Sequence, residues 1–301
     1  MSAGKMMRRI VNPDGVDFDK VGVNEAEELH AQTYGLCSDK LMQFAVVFSA
    51  LIHDVDHTGL TNAELDKMRA PVASAYRHKS IAEQNSVDVA WTVLMDGRFK
   101  DLRACIYTNE QELARFRQLI VNAVMATDIA DKELKKLRES RWDQAFAESA
   151  PVAALDMDQI DSDRKATIVF EYIIQASDVA HTMQHWHTYQ KFNRRLFEER
   201  YLAWLNGHAG EEDPSLSWYQ GEIGFFDFYI IPLARKLEKC GVFGVSSDEY
   251  LNYAKENRKE WEIKGRGLVE EMLESCREKY NNILEGSEEH FREEDEDFID
   301  M

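Results

Sequence analysis

Apolar positions recur along this chain at the three- and four-residue spacing of a helix face. Leu113, Phe116, Leu119, Ile120, Ala123 and Val124 form one stripe, and Ile168, Val169, Tyr172, Ile173 and Ala176 form another. Each pattern predicts an amphipathic helix with one buried side. Asp161, Ser162 and Asp163 stand just before the second stripe and predict its N-cap, because their short side chains accept from the free N–H groups of a first turn. Ser247 and Asp248 predict the opening of another helix from Tyr250 to about Asn282. The run from Leu41 to Ile52 is apolar apart from Gln43 and Ser49 and too short to span a bilayer, so it reads as a buried helix. With 5 prolines and 15 glycines in 301 residues, a many-turned β fold is hard to build, and an all-α fold is expected.

The boundaries follow from where these patterns stop. Residues 10 to 38 are mixed and hold Pro13, Gly15, Gly22 and Gly35, which predicts a surface loop with one short helical piece. From Glu285 to Met301 the chain is dominated by Glu and Asp, with Phe291, Phe298 and Ile299 as its apolar content, which predicts a disordered acidic tail. One helical domain over residues 1 to 284 and a tail over 285 to 301 is the expected organisation.

Charge narrows the partners. Lys and Arg number 36 against 55 Asp and Glu, a formal charge of -19, which repels phosphate backbones and anionic lipid surfaces. Nucleic acid and direct membrane contact are therefore not expected. An acidic protein that takes a small phosphate anion needs a local positive element, and a bound cation supplies one. Cys37, Cys105, Cys240 and Cys276 are scattered without a C-x-x-C pair, which argues for a reducing, cytoplasmic setting over a disulfide framework.

The candidate chemistry lies in Ser49-Ala50-Leu51-Ile52-His53-Asp54-Val55-Asp56-His57, where an apolar helix ends in two histidines and two aspartates. Neighbouring side chains on a regular helix face apart, so His53 and Asp54 meet one ion only where the helix ends, and Thr58-Gly59 signals that end. Imidazole suits zinc, and carboxylate suits magnesium or manganese and is able to bridge two ions. Asp178 closes the stripe from Ile168 to Ala176; by spacing alone it reads equally as a metal ligand or as an ordinary capping or surface aspartate. Thr127, Asp128 and Glu83, each after a short apolar run, suit the orientation of metal-bound water or plain helix-end roles.

These strings, in this order, resemble the catalytic domain of class I 3′,5′-cyclic-nucleotide phosphodiesterases over roughly Gln43 to Trp261. The resemblance implies a compact multi-helix bundle of HD-hydrolase type. It implies a metal site made of His53, Asp54 and Asp178, with Asp54 bridging two divalent cations, zinc and magnesium or manganese. His57, Glu83 and Thr127 fall on positions around the metals and their waters. Glu256-Asn257-Arg258-Lys259-Glu260-Trp261 is similar to the family's closing signature. In the nucleotide pocket, Glu222 stands where the family uses an amide to read the purine edge, Phe225 matches the aromatic that clamps the base, and His181 matches a polar base-contacting position. A carboxylate only accepts hydrogen bonds, so Glu222 predicts cyclic GMP, with its N1–H and N2–H₂ donors, over cyclic AMP.

One departure shapes the expectation. The family's upstream H-N-x-x-H motif supplies the catalytic acid and a further metal ligand, and this chain has no counterpart. Its one histidine before His53 is His30, in an unrelated context assigned to the loop. Met1 to Asn12 resemble the end of the helix that follows the motif, so an N-terminally truncated catalytic domain without its acid is expected, together with fused regulatory or membrane domains in the full-length protein. Loss of a general acid costs about 10²–10⁴-fold in rate. The alternative to a hydrolase is an inactive module that still binds metal and nucleotide.

Overall fold

The computed structural model describes residues 2–12, 23–146, 155–208 and 212–297, and no strand occurs among them. The helices run α1 Ser2–Val11, α2 Val23–Gln32, α3 Lys40–Ile52, α4 Asn62–Lys67, α5 Pro71–Ala75, α6 Ile81–Met95 and α7 Lys100–Ile106. They continue as α8 Glu110–Met125, α9 Lys132–Phe146, α10 Leu155–Asp178, α11 Trp186–Leu205, α12 Ser215–Phe225, α13 Ile231–Lys239 and α14 Glu249–Asp297. The all-α expectation holds.

The core assembles from the predicted stripes. Phe116, Leu119, Ile120, Ala123 and Val124 are buried on α8, which packs against α3, where the rings of Phe44 and Phe48 lie 5.9 and 5.7 Å from that of Phe116. Ile168, Val169, Tyr172, Ile173 and Ala176 are buried on α10, which touches α1, α3 and α13. A second layer forms where α11, α12 and α13 lie along α14, whose Leu251, Ala254, Trp261, Val269, Met272 and Cys276 repeat at helical spacing and are buried. Arg9 of α1 pairs with Glu249 and donates to the Tyr250 hydroxyl at 3.1 Å, tying the first helix to the last.

Local expectations fare unevenly. Asp161, Ser162 and Asp163 are interior to α10, which begins at Leu155, so they are not its N-cap. Asp161 instead pairs with Lys165 one turn on, at 2.6 Å, the arrangement that makes an acidic residue acceptable inside a helix. Asp248 does sit at the start of α14, its carboxylate accepting from Asn252 Nδ2 at 3.0 Å. That helix passes a non-helical residue, Tyr280 (φ -118°), and continues to Asp297. The helix takes in the acidic stretch as far as Asp297. The short helical piece expected within residues 10–38 is α2, and His30 lies in its last turn rather than in a loop.

Candidate metal centre and nucleotide pocket

α3 is capped by Asp39, whose carboxylate accepts from Met42 N at 3.0 Å, and ends at Ile52 with His53 as its C-terminal cap. The chain then turns. Asp56 adopts φ 64° and Gly59 φ 80°, a left-handed geometry that glycine and aspartate accept most easily. Gly59 N donates to His57 Nδ1 at 3.0 Å, which holds the turn closed. The apolar run therefore drives α3 into the core, and its polar end emerges at a fixed point.

At that point α10 also ends. His53 Nε2 lies 3.2 Å from Asp54 Oδ2 and 3.2 Å from Asp178 Oδ1. One donor atom from each of the three lies within 4.8 Å of the others. His53 Nδ1 is 3.1 Å from the Ala50 carbonyl; a carbonyl only accepts, so Nδ1 carries the hydrogen and Nε2 is the atom turned to the carboxylates. Burial pulls the His53 pKa down, and the hydrogen bonds to Asp178 and Asp54 outweigh it, leaving it at about 10. The imidazole thus holds a proton where a cation would sit. One imidazole nitrogen with a fixed tautomer and two carboxylates suit a borderline or hard divalent cation. They face a cavity of about 280 Å³, also lined by Ser2 and Ala3 of α1, several times the ~30 Å³ share of one water.

The surrounding polar groups are ordered by one another. Asn62 Nδ2 donates to Glu83 Oε2 at 2.9 Å and to Asp128 Oδ2 at 3.4 Å. Ser80 Oγ donates to the same Asp128 oxygen at 2.7 Å. Burial pushes the Glu83 carboxyl up, and His57 is near enough to act electrostatically on both Glu83 and Asp54. Thr127 donates its hydroxyl to the Val124 carbonyl at 2.7 Å, closing the end of α8. Gln175 Nε2 donates to the Ala126 carbonyl at 3.0 Å, fixing α10 beside that end. His30 is apart from all of this, with its Nδ1 2.8 Å from Ser38 Oγ.

Glu222 and His181, two of the residues expected around a base, both lie against Tyr189. Glu222 Oε2 accepts from the Tyr189 hydroxyl at 2.6 Å. The His181 ring lies parallel to Tyr189, with centroids 6.5 Å apart, and stacks on Phe192 at 5.2 Å. Burial pushes His181 down to about 4, against the opposing charge of Asp178. Half-buried Phe225 stacks on Tyr229 at 5.4 Å, and Tyr229 is close enough to Asp178 for that carboxylate to help burial raise its phenol. Between these aromatics the helix widens into a π turn over Phe226–Ile230, a local insertion often found at functional sites. Asn62, Tyr189 and Tyr229 carry no recognisable pattern in the sequence; the contacts that make them matter come from other helices.

The closing signature has a structural task. Asn257 Nδ2 donates to the carbonyls of Thr182 and Gln184 at 2.9 and 2.7 Å, holding the turn that follows Asp178. Trp261 Nε1 donates to the Tyr219 carbonyl at 3.1 Å.

Comparison with known proteins bears on the family and the fold. The family model of 3'5'-cyclic nucleotide phosphodiesterases matches residues 26–242. A Caenorhabditis elegans protein named probable 3',5'-cyclic-AMP phosphodiesterase pde-4 is 26% identical over 199 residues, covering 63% of this chain and 28% of that protein. The mouse dual specificity calcium/calmodulin-dependent 3',5'-cyclic nucleotide phosphodiesterase 1B is 22% identical over 211 residues, covering 65% of this chain and 35% of that one. The chain therefore spans about a third of the length of these curated relatives. The crystal structure of the phosphodiesterase domain of the RhoPDE fusion protein from the choanoflagellate Salpingoeca rosetta superposes with a TM-score of 0.62 at 20% identity, over 82% of this chain and 77% of that one, and establishes the shared fold. With the family model covering most of its length, this chain belongs to the 3′,5′-cyclic nucleotide phosphodiesterase family.

Proposed function

We propose that this chain performs the metal-dependent hydrolysis of a 3′,5′-cyclic nucleotide to the nucleoside 5′-monophosphate, with cyclic GMP favoured over cyclic AMP. The observation that carries the reading is the convergence of His53, Asp54 and Asp178 within 4.8 Å at the wall of a cavity, in a chain of this family. The proposed cofactors are two divalent cations, zinc and magnesium or manganese, which His53, Asp54 and Asp178 would hold. Such cations supply Lewis-acid charge, and a bound water of lowered pKa, to the attack on the cyclic phosphate.

The chain's own groups do the rest. Ala50 keeps the His53 tautomer that leaves Nε2 free for a metal. Glu83 and Asp128, fixed by Asn62 and Ser80, present carboxylate oxygens that accept from ordered water, with His57 and Thr127 beside them. Phe225 and the neutral His181 offer flat faces to a base, and Glu222 offers an acceptor to guanine N1–H. A reducing cytoplasmic setting is supported by four free cysteines, and no described helix is long and apolar enough to cross a membrane. Fused regulatory or membrane domains as partners rest on the greater length of the curated relatives.

The test is hydrolysis of cyclic GMP and cyclic AMP with Mg²⁺ or Mn²⁺, with and without chelator. Turnover that chelation abolishes is expected; the reading fails if neither nucleotide is hydrolysed with metal bound. One observation favours a second reading, binding without turnover. The described residues lining the cavity carry no titratable group besides the three ligands, and a leaving O3′ needs a proton donor. Bound nucleotide with no product would select that reading.

A further inference from the structure

A second cavity opens on another face of α10. Ile174, Ser177 and Asp178 line the cavity at the metal centre, whereas Tyr172 and Gln175 line this one, and their spacing puts the two sets on different sides of the helix. Its volume is about 50 Å³, room for a small ion with its water and far below the ~300–1,000 Å³ of a pocket for an organic ligand. Three basic side chains line it, Lys135 and Arg138 from α9 and Lys236 from α13, against one acid, Glu139. In a chain with a formal charge of -19, that grouping makes a local positive field.

The two inner cations lack a countercharge. Arg138 is 9% exposed, and its guanidinium donates to backbone carbonyls, Met125 at 3.4 Å and Asp128 at 3.2 Å, which carry no charge of their own. Half-buried Lys236 donates to the Tyr172 hydroxyl at 2.8 Å, and its ammonium lies 4.8 and 5.6 Å from the ring centroids of Tyr172 and Trp142. Among the described residues no carboxylate forms an ion pair with either group, and the buried Glu171 is taken by Arg141. Burial pulls the Lys236 ammonium down; Glu139 and Asp143 oppose this from a distance, while Lys135 and Arg138 add to it. A buried cation without a paired charge is costly, and an anion in the cavity would offset that cost.

We infer that this cavity binds a small tetrahedral oxyanion, free phosphate or the phosphate group of a monoester, between Arg138 and Lys236. A guanidinium presents a planar fork of donors that matches phosphate oxygens, and an ammonium adds a compact point charge. The two arrive from different helices, which suits an anion whose oxygens point in several directions. Bound there, the anion would join α9 to α13 beside Tyr229, which lines the same cavity and stacks on Phe225. The site is thus one ring away from the residue proposed to face the base, and it does not depend on the chemistry proposed for the metal centre.

The experiment is calorimetric titration of the full chain with inorganic phosphate. Chelator is present so that no bound metal competes for the anion, and chloride holds the ionic strength constant. Wild type should bind one phosphate. Lys236→Met keeps an aliphatic stem over Trp142 and should weaken binding by at least roughly tenfold, as should Arg138→Gln; each variant is first checked for a cooperative melt. Lys79→Met removes an exposed ammonium that pairs with Glu133 and should bind as wild type does. Glycerol 1-phosphate separates the sources: binding equal to that of phosphate shows that a monoester is accepted, and binding of the free ion alone assigns the site to inorganic phosphate. No binding by wild type, or an unchanged affinity in Lys236→Met, overturns the inference. An equal loss in Lys79→Met overturns it too, since attraction to the overall charge would then explain the binding.

Discussion

His53 Nε2 meets Asp178 Oδ1 at 3.2 Å across 125 positions of sequence, because two apolar helices, α3 and α10, end at the same place. The contact makes a prediction about protons as well as metals. The folded His53 pKa of about 10 lies above the ordinary 6.5, so the contact stabilises the metal-free protein fully below about 6.5, and that stabilisation is lost as pH rises through about 10. Asp178→Ala should flatten the fall in thermal stability between pH 7 and 10 in the presence of chelator. It should also weaken Mn²⁺ binding by at least roughly tenfold, as read by calorimetry. An unchanged metal affinity would remove Asp178 from the ligand set.

Gly265 offers a test of packing against propensity. A Cβ there would lie 2.8 Å from Trp261 Cε2 and 3.0 Å from Tyr219 Cδ2. Alanine improves an exposed helix position by about 1 kcal/mol over glycine, whereas overpacking a fixed ring costs about 1–3 kcal/mol. Trp261 is buried and its indole N–H is bound to the Tyr219 carbonyl, so it has little room to yield. Gly265→Ala should lower the urea midpoint, with a net loss of up to about 2 kcal/mol. A raised midpoint would show that the ring slides aside.

Asn257 is predicted to matter through donation alone. It is 1% exposed and satisfies two carbonyls at once. Asn257→Ala strands both, at about 1–3 kcal/mol each, and Asn257→Asp keeps the shape while turning acceptors toward acceptors. Both variants should therefore melt well below wild type. A near-native melt for the aspartate would show that water replaces the lost donors.

Much of this was legible in the sequence, for a physical reason. The stripes on α8 and α10 are periodic, and periodicity survives folding because it is what folding buries. The His53-Asp54 string marked a helix end by an abrupt change from apolar to ionisable residues. The start of α10 was misread, since an Asp-Ser-Asp run looks like a cap unless one sees that Lys165 satisfies Asp161 from the next turn. Tyr189 and Asn62 were invisible for a different reason. Each acts on a carboxylate delivered by a distant helix, Glu222 from α12 and Glu83 from α6, and no local pattern encodes that meeting.

The last prediction concerns a buried ion pair away from the cavity. Glu171 on α10 is 3% exposed, and Arg141 Nη1 on α9 donates to both its oxygens, at 2.9 and 3.1 Å. Burial pushes the Glu171 carboxyl up, and Arg141 pulls against it. Removing one partner of a buried pair costs about 3–5 kcal/mol, because a charge is left without compensation. Arg141→Ala should thus destabilise strongly, and it should raise the folded Glu171 pKa further. A carboxyl whose folded pKa exceeds its unfolded one favours the folded state below the unfolded value and loses that advantage as pH rises through the folded one. The deficit of Arg141→Ala relative to wild type should therefore be smallest near pH 4 and grow toward pH 8 in urea unfolding. A deficit equal at both ends would mean that Glu171 carries no stranded charge, and that Arg141 acts by packing its aliphatic stem.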